Sequence, residues 1–92
     1  MLDFYLIPDE QSNPDYPEES HLTFVGSLDY ETYNRLLITE VVDSRFHYYS
    51  DFRWDSKMVI QILDRVGDNS ESLRKILLKA VESKSGVIAY GD

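Results

Sequence analysis

The chain has 92 residues, no cysteine and a formal net charge of −8. That length supports one hydrophobic core, and therefore a single globular domain over residues 1–92. The absent thiols exclude disulfides, a cysteine nucleophile and cysteine zinc sites, and no apolar run approaches the roughly 18–20 residues that span a bilayer. Met1-Leu2-Asp3-Phe4 lacks the basic start of a signal peptide, so the expected location is cytoplasmic.

The charge is unevenly placed. Asp3, Asp9, Glu10, Asp15, Glu18, Glu19, Asp29 and Glu31 all precede the first basic residue, Arg35. From there on, nine acidic residues face nine basic ones, so the first third holds the whole excess. Such a field repels nucleic acid and anionic membranes and attracts a basic protein partner.

Asp3–Ile7 is a continuous apolar run ended by Pro8, and it reads as a strand buried on both faces. Residues 9–21 form a long acidic loop, dense in Pro, Ser, Asn, Asp and Glu, with Tyr16 its one large side chain. Leu22–Val25 reads as a second strand stopped by Gly26. Asp29 then caps a helix over Tyr30–Ile38, with Tyr30, Tyr33, Leu36 and Leu37 as its buried stripe.

The stretch Arg45–Trp54 fits neither structural period and holds five aromatic residues, including the sole Trp. Phe46, Phe52 and Trp54 are expected mainly in the core, with Tyr48, Tyr49 and Arg53 partly exposed. Asp51 is placed to pair with Arg53 or Arg45, and Val42–Tyr49 is a candidate strand. Asp55 or Ser56 caps a second helix to Val66, whose apolar face is Val59, Ile62, Leu63 and Val66, with Gly67 as its stop. Ser70 opens a third over Glu71–Ser83, with Leu73, Ile76, Leu77, Ala80 and Val81 as its stripe, and Val87–Tyr90 is a last strand, expected beside the first. The fold class is α+β: a small three- to four-stranded sheet with about three helices packed on it, in the order β-β-α-α-α-β.

Reactive constellations are lacking. No Gly-x-Ser-x-Gly elbow supports a serine triad, and Gly26, Gly67, Gly86 and Gly91 are scattered singly instead of forming a phosphate cradle. His21 and His47 do not have the spacing of a helical zinc pair, and the acidic loop lacks the alternating ligands and glycine of a calcium loop. No cofactor, metal or catalytic residue is expected. Tyr, Trp and Arg are enriched at binding hot spots, which makes the aromatic stretch a candidate contact surface.

In size, acidity and lack of catalytic motifs the chain resembles the small immunity proteins of bacterial polymorphic or contact-dependent toxin systems. Leu28-Asp29-Tyr30-Glu31-Thr32, Tyr48-Tyr49-Ser50-Asp51-Phe52-Arg53 and Ile88-Ala89-Tyr90-Gly91-Asp92 are similar to phrases of short bacterial proteins. The resemblance is general and carries over no individual residue. It implies a protein that binds and blocks a cognate toxin, often with a basic active site.

The leading expectation is a non-enzymatic binding module. Its candidate contacts are Asp9, Glu10, Asp15, Tyr16, Glu18 and Glu19 of the loop, with Tyr48, Tyr49, Asp51 and Arg53 of the aromatic stretch. Two alternatives stay open: a small enzyme or ligand-binding domain using His47 and its neighbouring tyrosines, and a homodimer subunit paired through an edge strand.

Overall fold

The computed structural model describes residues 1–14 and 22–91. Its elements are β1 (Leu2–Ile7), β2 (Thr23–Leu28), α1 (Tyr30–Ile38), β3 (Phe52–Trp54), α2 (Ser56–Val66), α3 (Glu71–Glu82) and β4 (Gly86–Tyr90). The four strands form one antiparallel sheet in the order β2-β1-β4-β3. The α+β class, the three helices and the insertion of the last strand beside the first are as the sequence indicates. The aromatic stretch adds a short strand to the expected order. That strand is Phe52–Trp54, not Val42–Tyr49.

Each helix begins where a short polar side chain satisfies an orphan amide. Asp29 accepts from the Thr32 N–H, Asp55 from Met58 and Ser70 from Leu73. α1 ends with Glu40 at φ 60°, and the amides of Val41 and Val42 both turn back to the Leu36 carbonyl. This exit drives Val41 and Val42 into the core. Residues 43–50 then form two turns, closed by Phe46 N–H to Asp43 O and by Ser50 N–H to His47 O. Asp43 also accepts from the Arg45 amide, a local bond that competes with strand pairing.

The register sorts the sheet into two faces. Phe4, Ala89 and Phe52 are paired neighbours, as are Leu6, Val87 and Trp54, and these face the helices. α2 and α3 lay Val59, Ile62, Val66, Leu73, Ile76 and Leu77 onto that side. Trp54 is fully buried, with its ring centroid 5.7 Å from Phe4 and 5.2 Å from Phe52, while its indole N–H has no hydrogen-bond partner among the described residues. Phe46 and Phe52 pack against the core half-buried. Four expected stripe positions differ: Tyr30 and Val81 are exposed, and Leu37 and Leu63 are only half-buried. Tyr30 and Val81 lie at helix margins, where the apolar arc is wider than the surface available to cover it.

β2 runs through Gly26 and does not stop there. Gly26 pairs with Phe4 and Phe24 with Tyr5, so the register slips at this point and leaves Val25 as the extra residue of a bulge. Gly26 has φ 152°, and a Cβ placed there would lie 2.8 Å from Cγ1 of Ile76. The glycine is needed for the conformation and for the close approach of α3.

Among the described residues, no helix is long and apolar enough to cross a membrane.

Candidate functional site

The second face of the sheet carries Tyr5, Ile7, Arg53, Ile88 and Tyr90, by the same alternation. The start of the acidic loop crosses this face. Arg53 holds it: its guanidinium donates to the carbonyls of Pro8, Asp9 and Gln11 and to Oδ1 of Asn13. Five rigid donors suit Arg to such convergent bonding, where the single ammonium of Lys would not reach all four acceptors. Farther along, the Tyr90 hydroxyl donates to the Pro14 carbonyl at 3.2 Å.

Asp9 ties the same segment to α2. Its Oδ1 accepts from the Ser56 amide at 2.9 Å and its Oδ2 from the Ser56 hydroxyl. These two bonds hold the Asp9 carboxyl below its ordinary pKa, with a smaller contribution from Arg53. Asp9 and Arg53 thus spend their polar groups inside the chain, as ties that fix the loop's foot. Glu10 is exposed beside them. Asp15, Tyr16, Glu18 and Glu19 lie outside the described residues.

Asp51 pairs with neither arginine. Its Oδ1 accepts from the Gly91 amide at 3.1 Å, and the same amide also donates to the Ser50 carbonyl at 3.1 Å. Arg45 lies 4.0 Å from Asp43 instead, with its guanidinium 4.8 Å from the Phe46 ring centroid. The pairing of Asp51 with Arg53 fails although the two are i and i+2, because Asp51 lies just outside β3 and each side chain is engaged by backbone groups distant in sequence. Arg53 is taken up by the loop's foot, while Asp51 sits at the strand's mouth against Gly91.

Tyr48 is half-buried and Tyr49 is 67% exposed. Tyr30, the first residue of α1, joins them at 50% exposure. Its ring centroid lies 5.5 Å from that of Tyr48 and 6.1 Å from that of Tyr49, and the latter two are 4.9 Å apart. Sequence reasoning missed Tyr30 by placing it in the buried stripe. The available signal was its position directly after the Asp29 cap, in the first helical turn and at the edge of the packed face. Below the cluster, Tyr33 is fully buried, stacks on Phe52 at 6.0 Å and donates its hydroxyl to the Phe46 carbonyl at 2.8 Å. Burial pushes the Tyr33 phenol well above its usual pKa.

His47 is exposed, and its carbonyl accepts from the Ser50 amide and hydroxyl. Among the described residues, the two principal recesses lie elsewhere. One of about 400 Å³ runs between α2 and α3, lined by Ile60, Leu63, Asp64, Arg74 and Leu78. Another of about 260 Å³ lies beside Leu37, Val42, Asp43 and Arg65. Neither contains His47 or the tyrosines beside it. Among the described residues no three His, Asp or Glu side chains gather as a metal ion would require.

Compared with family models, with curated proteins and with solved structures, the chain matches none.

Proposed function

We propose that this chain is a non-enzymatic protein-binding module that docks an acidic surface onto a basic partner, as a cytoplasmic toxin-neutralising immunity protein would. The observation that carries this reading is a convergence at the end of β4. Tyr90 bonds to Pro14 at the foot of the acidic loop, and the adjacent Gly91 bonds to Ser50 and Asp51 of the aromatic turn. Two candidate contact segments, far apart in sequence, are tied to consecutive residues. The charge excess of −8 within the first third supports electrostatic steering of a basic partner toward this end. Edge-strand dimerisation has less support, since β2 is interrupted by its bulge and β3 has only 3 residues.

The test is the binding constant for a purified basic domain encoded beside this chain, measured at two ionic strengths. Joint reversal of Asp15, Glu18 and Glu19 to Lys is expected to slow association by roughly 10- to 100-fold at low salt. Affinity unchanged by the triple reversal, or independent of salt, would remove the acidic surface from the explanation.

A further inference from the structure

We propose that Tyr30, Tyr48 and Tyr49 form a receptor for an arginine side chain projecting from the basic partner. Tyr48 stands edge-on to both of its neighbours, at 87° to Tyr30 and 89° to Tyr49, whereas Tyr30 and Tyr49 are within 27° of parallel. Tyr48 also lies 6.2 Å from Tyr33, which anchors the floor of the cluster to the core. Half or more of Tyr30 and Tyr49 nevertheless faces solvent. A small domain gains stability by burying rings, so rings packed against one another and left exposed present a contact surface that is already assembled.

The chemistry of the occupant follows from charge and spacing. The cluster belongs to a chain of net charge −8, and exposed Asp29 and Glu31 are the sequence neighbours of Tyr30. Negative ring faces on a strongly acidic chain favour a cation. The separation of 6.1 Å between the near-parallel rings is too small to sandwich one, since a cation in contact with both faces needs roughly 7 Å or more. The cation therefore lies on an outward ring face, a geometry that suits a planar guanidinium stacked flat better than a compact ammonium. A nucleic-acid base would meet the same rings, but its phosphates would meet the net charge of −8.

This inference rests on the partner being a basic protein, and its test separates the two. Ring resonances of the tyrosines are followed by NMR during titration with an arginine-rich peptide, a matched lysine peptide and a neutral one. Saturable shifts at Tyr30 and Tyr49, larger with arginine, are expected. Tyr30→Ala and Tyr49→Ala should each weaken binding of the peptide and of the basic domain by roughly 2- to 30-fold. Tyr30→Phe, which keeps the π face, should bind normally. Thermal melts of the variants establish that each is folded. Absence of shifts, equal shifts with the neutral peptide, or a homodimer in sedimentation that Tyr30→Ala dissolves would overturn the proposal. Normal binding by the tyrosine variants alongside loss of binding in the loop reversal would overturn this inference and leave the acidic-surface reading standing.

Discussion

Replacing Gly26 with Ala is expected to cost this domain a large part of its stability, through two separable effects. The first is backbone strain: φ of 152° is open to glycine and costs an L residue on the order of 1–3 kcal/mol. The second is steric. The new methyl would sit 2.8 Å from Cγ1 and 3.0 Å from Cδ1 of Ile76, which is 2% exposed and has little room to rotate. Overpacking of this kind costs about 1–3 kcal/mol. Together they give about 2–6 kcal/mol, against a total stability of roughly 5–15 kcal/mol for a domain. Urea unfolding monitored by Trp54 fluorescence measures the loss, and thermal melting should fall by roughly 4–8 °C per kcal/mol. Ile76→Val removes the Cδ1 contact, so Gly26→Ala should cost less by about 0.5–1.5 kcal/mol in that background. A cost under about 1 kcal/mol, or strict additivity of the two substitutions, would refute this account of the bulge.

Three further outcomes follow from the ties around the loop and the aromatic core. Arg53→Gln removes charge-assisted bonds to the loop's foot, and should lower stability by about 1–2 kcal/mol after allowance for partial exposure. It should also speed amide exchange at Gln11 and Asn13, and unchanged exchange there would contradict the clamp. The Asp9 carboxyl is held low in the folded chain, so its contribution is present above the ordinary aspartate pKa of about 3.9 and is lost as pH falls through the lower folded value. Asp9→Asn should therefore reduce the acid sensitivity of unfolding below about pH 4, leaving the part due to Asp29, which the Thr32 amide likewise holds low. Tyr33 has the opposite sign: its raised pKa gives stability that is complete below about pH 10 and is lost on further alkalinisation. Tyr33→Phe should cost about 1–2 kcal/mol at neutral pH by leaving the Phe46 carbonyl unpaired, and should flatten the alkaline limb.

Much of the fold is legible in the chain because its signals are local. Asp29, Asp55 and Ser70 each bond an amide three residues ahead, and the 3.6-residue periods of α2 and α3 select the faces that are buried. The strand signal at Leu2–Ile7 and Gly86–Tyr90 is likewise local, since both segments are apolar on both faces and need cover on each side. The candidate site was legible only in composition. Tyr48 and Tyr49 stand at the surface as their residue types suggest, whereas Tyr30 reads as buried until the packed arc of α1 is known.

The sequence by itself determined the class, the helices, the central strands and the lopsided charge, all of which depend on residues within a turn or two of one another. Tertiary structure alone decided the purposes of Gly26, Asp9, Asp51 and Arg53. Gly26 marks the end of a strand until α3 is laid against it, and Arg53 is a free cation until residues 8–13 cross the sheet. Their roles depend on partners far away in sequence, which are brought close by the pairing of β1, β4 and β3. Which partners Asp51 and Arg53 meet is set by loop closure, which brings Gly91 to one and residues 8–13 to the other, and this is not encoded in the spacing between the two charges.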